Sequence, residues 1–343
     1  MKSLFSGKKK FVIAGILLIG MFAAFQAYTL FYRPNTIFEE KAKVIFIQEN
    51  TTLDKWLGSA ESREILRYAD HFERAASMKK CSTLKQGRYR ILKNSSNNTI
   101  INMLRSGNQE ALHLRIDDVH TMTELAGKLG RNLKSDSTTF IKAFQNDSIC
   151  KSFGFNTITI ACLISPNTYD FFWTITPIDF LNRMKKIHDS YWTDENQQKA
   201  KRLNLTPTEV TILASIVKAE TAKKEEASKI AGLYLNRLRI DMALQSDPTA
   251  VYGREEHVQR VSYEDLRTDS PYNTYLHAGL PPGPIAFSEQ HYLDAVLNPA
   301  KHDFIFMCAE PGGTGFHQFA RTLDQHNVYR REYTRWLESK GIR

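Results

Sequence analysis

The sequence predicts an α+β protein with a single N-terminal transmembrane helix, a small subdomain and a larger mixed α+β domain. Three observations carry that prediction. One uncharged run of membrane length stands near the N-terminus, and no second one follows. Downstream, strand-like stretches alternate with helical patterns opened by Ser or Thr caps, without a fixed repeat or a low-complexity tract. Composition is that of a folded chain: of 343 residues, 42% are hydrophobic, 24% charged and 11% aromatic.

The first ten residues, MKSLFSGKKK, are basic and hold no acid. The run 11-FVIAGILLIGMFAAFQAYTLFY-32 then carries no charge. At 1.5 Å per residue it crosses a hydrocarbon layer of ~30 Å. A cleaved signal peptide would have an apolar core of about 7–15 residues followed by small residues. This run is longer and ends on Phe31 and Tyr32. The expectation is a cytoplasmic basic segment at 1–10, an uncleaved anchor at 11–32, and the remainder outside the cytoplasm.

The net charge is +9, and Lys2, Lys8, Lys9 and Lys10 supply four of those charges. So mild an excess over the rest of the chain, with no nucleic-acid module, does not suggest a nucleic-acid partner, and none is expected. Cys81, Cys150, Cys162 and Cys308 show no CxxC spacing, so neither a disulfide framework nor a zinc ribbon is expected. All four read as small buried apolar residues.

Residues 33–42 read as a short linker opened by Arg33-Pro34. A strand is expected at 43-KVIFIQE-49, then a helix capped by Thr51 or Thr52 and carrying Leu53, Trp56 and Leu57. A second helical pattern runs through 61-ESREILRYADHFERAA-76, and 88-RYRI-91 reads as a strand. In 95-SSNNTIINMLRSG-107 a serine cap starts a helix with Ile100, Met103 and Leu104 on one face, and Gly107 ends it. Together these make a small α+β unit at 38–110. Beyond it, 112-LHLRI-116 reads as a strand. In 121-TMTELAGKLG-130, Thr121 and Glu124 have capping-box spacing. The aromatic stretch 166-PNTYDFFWTITP-177 is turn and strand material, and 178–189 a helix.

The stretch 213-LASIVKAET-221 holds the chief candidate for chemistry. Its helix opens at 206-TPTEV-210, with Thr206 as N-cap, Pro207 in the first turn and Glu209 closing a capping box. Val210, Leu213, Ala214 and Val217 form an apolar stripe, and Glu220 follows Ile216 by four residues and Val217 by three. A carboxyl against apolar surface keeps its proton, as a general acid requires. The alternative is a solvated acid near a helix end, beside Lys218, Lys223 and Lys224.

The next helix, 226-EASKIAGLYLNRLR-239, carries Asn236 and Arg237. In 244-LQSDPTAVYG-253, Asp247-Pro248 reads first as a helix cap with a Pro start, and Gln245 and Asp247 could also reach a ligand. The prolines and glycines of 270-SPYNTYLHAGLPPGPI-285 forbid regular structure. A rigid loop carrying Tyr272, Asn273 and Tyr275 suits a sugar-binding wall, or simply a well-packed turn. Finally, 303-DFIFMCAEPGGTGFHQFA-320 reads as a hairpin with His317 on the returning strand. Its glycines are turn material, since no Gly-Lys-Ser/Thr follows. Among the ten histidines no HExxH occurs, and no GxSxG is present.

The blocks ASIVKAET, AGLYLNRLR, LQSDPTAVYG, SPYNTY, GLPPGPI and FHQFARTLDQHN, in this order through 205–330, resemble the MltG/YceG-like endolytic murein transglycosylases. The stretch from 84-LKQGRYRILKNSS to NMLRSG-107 is similar to that family's LysM-like region. The resemblance implies a bacterial inner-membrane, single-pass protein with a LysM-like subdomain at 38–110 and a YceG-like catalytic domain at 111–343. It implies a lytic transglycosylase that cleaves MurNAc–GlcNAc bonds within peptidoglycan strands, leaves 1,6-anhydroMurNAc ends and limits strand length. Glu220 falls on the family's catalytic glutamate. Asn236, Gln245, Asp247, Tyr272, Asn273, Tyr275 and His317 are the expected substrate-binding residues. No metal or organic cofactor is implied, and peptidoglycan synthases are expected partners. The chain departs from the family at Lys218, where an acid is common, and at 163-LISPNTY-169. A non-catalytic peptidoglycan-binding scaffold, or a lysozyme-like hydrolase, is the alternative expectation.

Overall fold

A computed structural model describes residues 3–116, 119–254 and 261–341. The described chain divides into two compact units: residues 1–113 with 170–175, and residues 114–169 with 176–343.

The first unit begins with α1 (Ser3–Phe31), whose apolar span Phe11–Phe31 has a mean hydropathy of 2.1 and none of it buried. It is the candidate membrane span. After it come β1 (Ala42–Ile47), β2 (Thr51–Thr52), α2 (Leu53–Leu57), α3 (Ala60–Ile65), α4 (Ala69–Met78), β3 (Thr83–Leu84), β4 (Gly87–Leu92) and α5 (Asn97–Ser106). β1 pairs antiparallel with β4, Val44 opposite Arg90. This register turns Ile45, Ile47, Tyr89 and Ile91 into one core with Trp56, Phe72, Ile100 and Leu104. Thr52 caps α2 and Ser96 caps α5, which stops at Gly107 in the left-handed region (φ 77°), where glycine costs least.

Two expectations fail here for one reason. The helical pattern of 61–76 is broken: α3 ends at Ile65, Leu66 is extended, and α4 starts at Ala69. Nor is 33–42 a free linker. Asn35 is 2% exposed, and its amide donates to Tyr68 O (2.9 Å) and to Asn97 Oδ1 (2.7 Å) while its Oδ1 accepts from Tyr68 N (2.8 Å). Thr36 bridges Leu66. These backbone groups leave the helix because the juxtamembrane segment supplies their partners. Asn97 also donates to Leu30 O at 2.8 Å, and Leu30 and Phe31 lie against the core, so the end of α1 belongs to this unit.

The chain runs on through β5 (Leu112–Arg115), α6 (Met122–Asn132), α7 (Ser137–Phe144), α8 (Asp147–Ser152), a 3-10 turn (Thr159–Leu163) and β6 (Thr168–Phe171). Thr121 caps α6 as expected, but Glu124 reaches His120 N rather than the cap residue. Residues 170–175 return to the first unit, where Trp173 meets Phe46 edge-on at 5.1 Å.

The second unit continues with α9 (Pro177–Tyr191), α10 (Asp194–Arg202), α11 (Pro207–Glu220), α12 (Lys224–Arg239), the short α13 (Asp247–Ala250), a 3-10 turn (Asp265–Arg267), α14 (Gln290–Leu297), β7 (Phe306–Ala309), β8 (His317–Ala320) and α15 (Leu323–Ser339). The capping box of Thr206 and Glu209 is complete. Beyond it, α11 is more than amphipathic: every residue from Val210 to Val217 is buried, against α12 and α14. A helix apolar on all sides is a core helix. Burying even the side chain of Leu213 contributes ~2 kcal/mol. Three cysteines are buried, whereas Cys308 on β7 is only half-buried.

Candidate active site

Glu220 is the last residue of α11, and the core run before it fixes its position. The residue is half-buried, and its carboxyl is enclosed by side chains from two other elements. Tyr234 of α12 donates to Oε1 at 2.7 Å, and Ser246 Oγ donates to the same oxygen at 2.5 Å. Among the described residues no hydrogen bond to Oε2 is made. Burial pushes the Glu220 carboxyl above the usual carboxylate range; the Ser246 and Tyr234 bonds oppose this, the nearby Asp247 charge adds to it, and His317 opposes it. Burial dominates, and the solvated-acid reading of Glu220 does not hold in this structure. Tyr234 is likewise pushed well above the ordinary phenol range by burial and by Glu220.

Ser246 and Tyr234 were not among the expected residues. The signal for Ser246 was its place just before Asp247-Pro248; nothing local marks Tyr234. Ser246, not Asp247, stands at the N-cap position of α13, and its side chain makes no cap bond because it is turned to Glu220. Its backbone N–H donates to Thr274 Oγ1 at 3.0 Å, and Thr249 Oγ1 donates to its carbonyl at 2.6 Å. From the other side the buried Arg237 donates to Leu244 O at 2.5 Å and to Ile305 O at 2.6 Å. The turn carrying Ser246 is therefore braced by α12 and by the 270–275 loop.

The expected substrate residues divide. Asp247, in the first turn of α13, is exposed, and its Oδ1 accepts from Tyr275 Oη at 2.5 Å. Burial and Asp247 push the Tyr275 phenol up. Gln245 is exposed beside them in a left-handed backbone conformation (φ 49°), with its N–H donating to Thr274 O. Tyr272 packs on Tyr252 with ring centres 4.5 Å apart. Its neighbour Gly283 has no room for a side chain: a Cβ there would stand 2.5 Å from Ile158 Cγ2 and 3.1 Å from the Tyr272 hydroxyl.

Two asparagines face inward instead. Asn273 is 0% exposed, and its amide donates to Leu266 O and Thr268 O. Asn236 donates to His302 O and Phe304 O, which ties the segment before β7 to α12. Both are committed to backbone groups that would otherwise be unpaired, so they shape the site from behind rather than line it. His317 heads β8, where its backbone N–H and its ring Nδ1 both meet the carboxylate of the buried Glu226. Lys218, two residues before Glu220, lies 2.7 Å from Phe287 O and 2.9 Å from Glu289 Oε1. It ties α11 to the start of α14.

A half-buried carboxyl at the end of a core helix, bound by Tyr234 and Ser246 and with the Tyr275–Asp247 pair beside that turn, is the candidate acid–base group of this mixed α+β unit. The chain belongs to the YceG-like family, which it matches over residues 45–332. It is 28% identical over 289 residues to an endolytic murein transglycosylase of Bacillus subtilis (strain 168), covering 80% of this chain and 79% of that one. It is 24% identical over 338 residues to an endolytic murein transglycosylase of Streptococcus pneumoniae serotype 2 (strain D39 / NCTC 7466); the match covers 88% of this chain but only 61% of that longer protein. The fold is also that of a yceG-like protein from Listeria monocytogenes, whose crystal structure superposes with a TM-score of 0.56 at 24% identity, over 84% of this chain and 99% of the other.

Proposed function

We propose that this protein is an endolytic murein transglycosylase, a lyase acting on peptidoglycan, and that Glu220 carries both of its proton transfers. The observation that carries this reading is the convergence of Tyr234 and Ser246 on Oε1 of a half-buried carboxyl. With Oε1 occupied by two donors, the proton of the neutral acid sits on Oε2. There it can be given to the glycosidic oxygen as the bond to the muramyl C1 breaks. The carboxylate so formed is stabilised by the same two hydroxyls. It then takes the proton from the muramyl 6-hydroxyl as that oxygen bonds C1, closing a 1,6-anhydro ring. A tethered nucleophile has the large proximity advantage of an intramolecular reaction. Glycoside hydrolases commonly use two carboxyls, whereas here Asp247, whose charge acts on Glu220, is engaged by Tyr275.

Gln245, Asp247, Tyr272, Tyr275 and His317 are the proposed substrate-contacting residues. Residues 38–110 are proposed as the LysM-like, glycan-binding subdomain; their folding around a core of their own supports this. The span 11–31 is proposed to anchor the protein once in the bacterial inner membrane, with the basic N-terminus cytoplasmic and both units outside, near the peptidoglycan synthases. The exposed apolar helix and its lysine-rich flank support that topology.

The test is mass spectrometry of products from purified peptidoglycan. Anhydro ends, one water lighter than hydrolysed ends, are expected. Reducing ends that take up heavy oxygen from labelled water would show a hydrolase, with Asp247 as its second carboxyl. An unchanged substrate would leave a binding scaffold.

A further inference from the structure

A cavity of about 340 Å³ lies within the second unit, where the end of α9, the start of α10, the 3-10 turn at Thr159–Leu163, α11 and the start of α14 come together. It shares no residue with the Glu220 site. Its α11 wall is Thr211, nine residues and about 13 Å of helix axis before Glu220. Its volume is at the lower end of the ~300–1,000 Å³ of small-molecule pockets, which suits one ring rather than a length of strand.

The lining is uncharged: no acid, lysine or arginine takes part in it. Burial holds the His188 ring below the usual imidazole range, against the pull of Asp189, and pushes the Cys162 thiol up to about 12, so both are neutral near pH 7. What the cavity offers is apolar surface and idle hydrogen-bonding groups. Leu163, Ile164 and Leu293 supply the first. Trp192 and Ser288 also line it, each 5% exposed, and no described residue hydrogen-bonds the Trp192 indole N–H or the Ser288 hydroxyl. Buried polar groups are ordinarily paired. Gln290, on the exposed rim, adds an amide.

The walls are held in place. The Asn196 amide donates to Tyr191 O, the Gln197 amide to Trp192 O and the Tyr191 hydroxyl to Asp294 Oδ1, each at 2.8 Å. The segment 287–293 is bonded to α11 on both sides of Glu220: Lys218 donates to Phe287 O at 2.7 Å, and Tyr292 Oη donates to Thr221 O at 3.0 Å. A site so fixed needs little ordering to bind.

We propose that this cavity is a second glycan site, separate from the cleavage site, which seats one uncharged N-acetylated sugar ring, a GlcNAc residue of a peptidoglycan strand. The choice of strand rests on the murein reading above; the choice of an uncharged, amide-bearing ring rests on the lining. The C–H face of the ring and its acetamido methyl match the aromatic and aliphatic walls, and its hydroxyls and amide match Trp192, Ser288 and Gln290. The carboxylate of MurNAc would enter without a cation to meet it. A strand seated here is held by the segment that is bonded to α11 beside the acid.

The experiment is fluorine NMR of the full-length protein in detergent, labelled with 5-fluorotryptophan and titrated with N-acetylglucosamine, N-acetylmuramic acid and glucose. The chain has four tryptophans, and the Trp192 signal is assigned by Trp192→Phe. Trp56 and Trp173 report on the first unit, so sugar bound there is read separately. With N-acetylglucosamine the Trp192 signal is expected to move saturably. Glucose, which lacks the amide, and N-acetylmuramic acid, which adds the charge, should bind about 10-fold more weakly or worse. Ser288→Ala deletes a hydroxyl that no described residue partners, and Gln290→Trp fills the rim; each should weaken N-acetylglucosamine by about 10-fold or more at Trp192. A Trp192 signal that does not move or does not saturate, equal binding of glucose, or unchanged affinity in both variants overturns the proposal. A wild-type protein that leaves peptidoglycan uncut while Trp192 responds defeats the functional reading alone; cleavage with a silent Trp192 defeats the second site alone.

Discussion

Tyr234 and Glu220 lie fourteen residues apart in the chain and meet through a 2.7 Å hydrogen bond from the phenol to carboxyl Oε1. Ser246, from a third element, donates to the same oxygen at 2.5 Å. The pair of donors makes the two carboxyl oxygens unequal. Oε1 is bound by two donors, and among the described residues none hydrogen-bonds Oε2.

Glu220→Gln should abolish cleavage, since the amide keeps the shape but cannot act as acid or base; the loss expected from general acid–base catalysis alone is about 10²–10⁴-fold. The same change should stabilise the fold near neutral pH. Glu220's folded pKa is raised above its ordinary value of 4.5. The folded state therefore binds this proton more tightly than the unfolded state, and stability falls as pH rises from that value through the raised one. The amide escapes this loss. Thermal melts of both proteins from pH 4 to 8 check it: the melting gain of the variant should be present at the top of the range and vanish at the bottom. An equal difference at every pH would contradict a proton-retaining Glu220.

Tyr234→Phe and Ser246→Ala each delete one donor to Oε1. Donors to the charged form lower a carboxyl pKa, so either deletion raises it further. The basic limb of kcat/KM should move to higher pH. The plateau rate should fall by about 10-fold or more, as suits loss of a hydrogen bond of ~1.5–3 kcal/mol to a charged group. A pH–rate profile on soluble glycan fragments measures both. A loss of rate with no movement of the limb would separate these hydroxyls from the titration of Glu220.

Asp247→Asn should shift the profile the opposite way. Asp247's charge raises the Glu220 pKa, so removing it lowers that pKa and brings the basic limb to lower pH. Asparagine still offers an oxygen to Tyr275 Oη, and stability should change by less than ~1 kcal/mol. A cap role would have predicted a near-neutral substitution, but the cap position belongs to Ser246.

Asn35→Ala should destabilise the first unit by roughly 1–3 kcal/mol, because the Tyr68 backbone and the buried Asn97 side chain lose their partner. By the same logic, a chain starting at residue 38 should melt below one starting at residue 27, which retains Leu30 and Phe31 against the core. Equal melting temperatures would return residues 33–37 to the status of a linker.

The features readable from sequence alone are those whose partners lie within a few residues. The Thr206–Glu209 capping box and the Ser96 cap and Gly107 stop of α5 rest on hydrogen bonds of four residues or fewer, the uncharged span of α1 is one contiguous run, and the structure contains each. The apolar face under Glu220 was legible for the same reason: residues three and four apart share a side of a helix.

Tertiary structure decided what long-range partners decide. The pattern of 61–76 gave no sign of its break, because the groups that open it at Leu66–Tyr68 are matched by Asn35, more than thirty residues earlier. Asn236 and Asn273 look alike in sequence to ligand-binding amides, and only their burial against backbone carbonyls turns them inward. Glu220 itself was ambiguous between a solvated acid and a proton donor. Its surroundings are decided by a tyrosine 14 residues on and a serine 26 residues on, brought to one oxygen by the packing of α11, α12 and α13. A carboxyl's pKa depends on burial and on the donors around it, which sequence spacing does not encode.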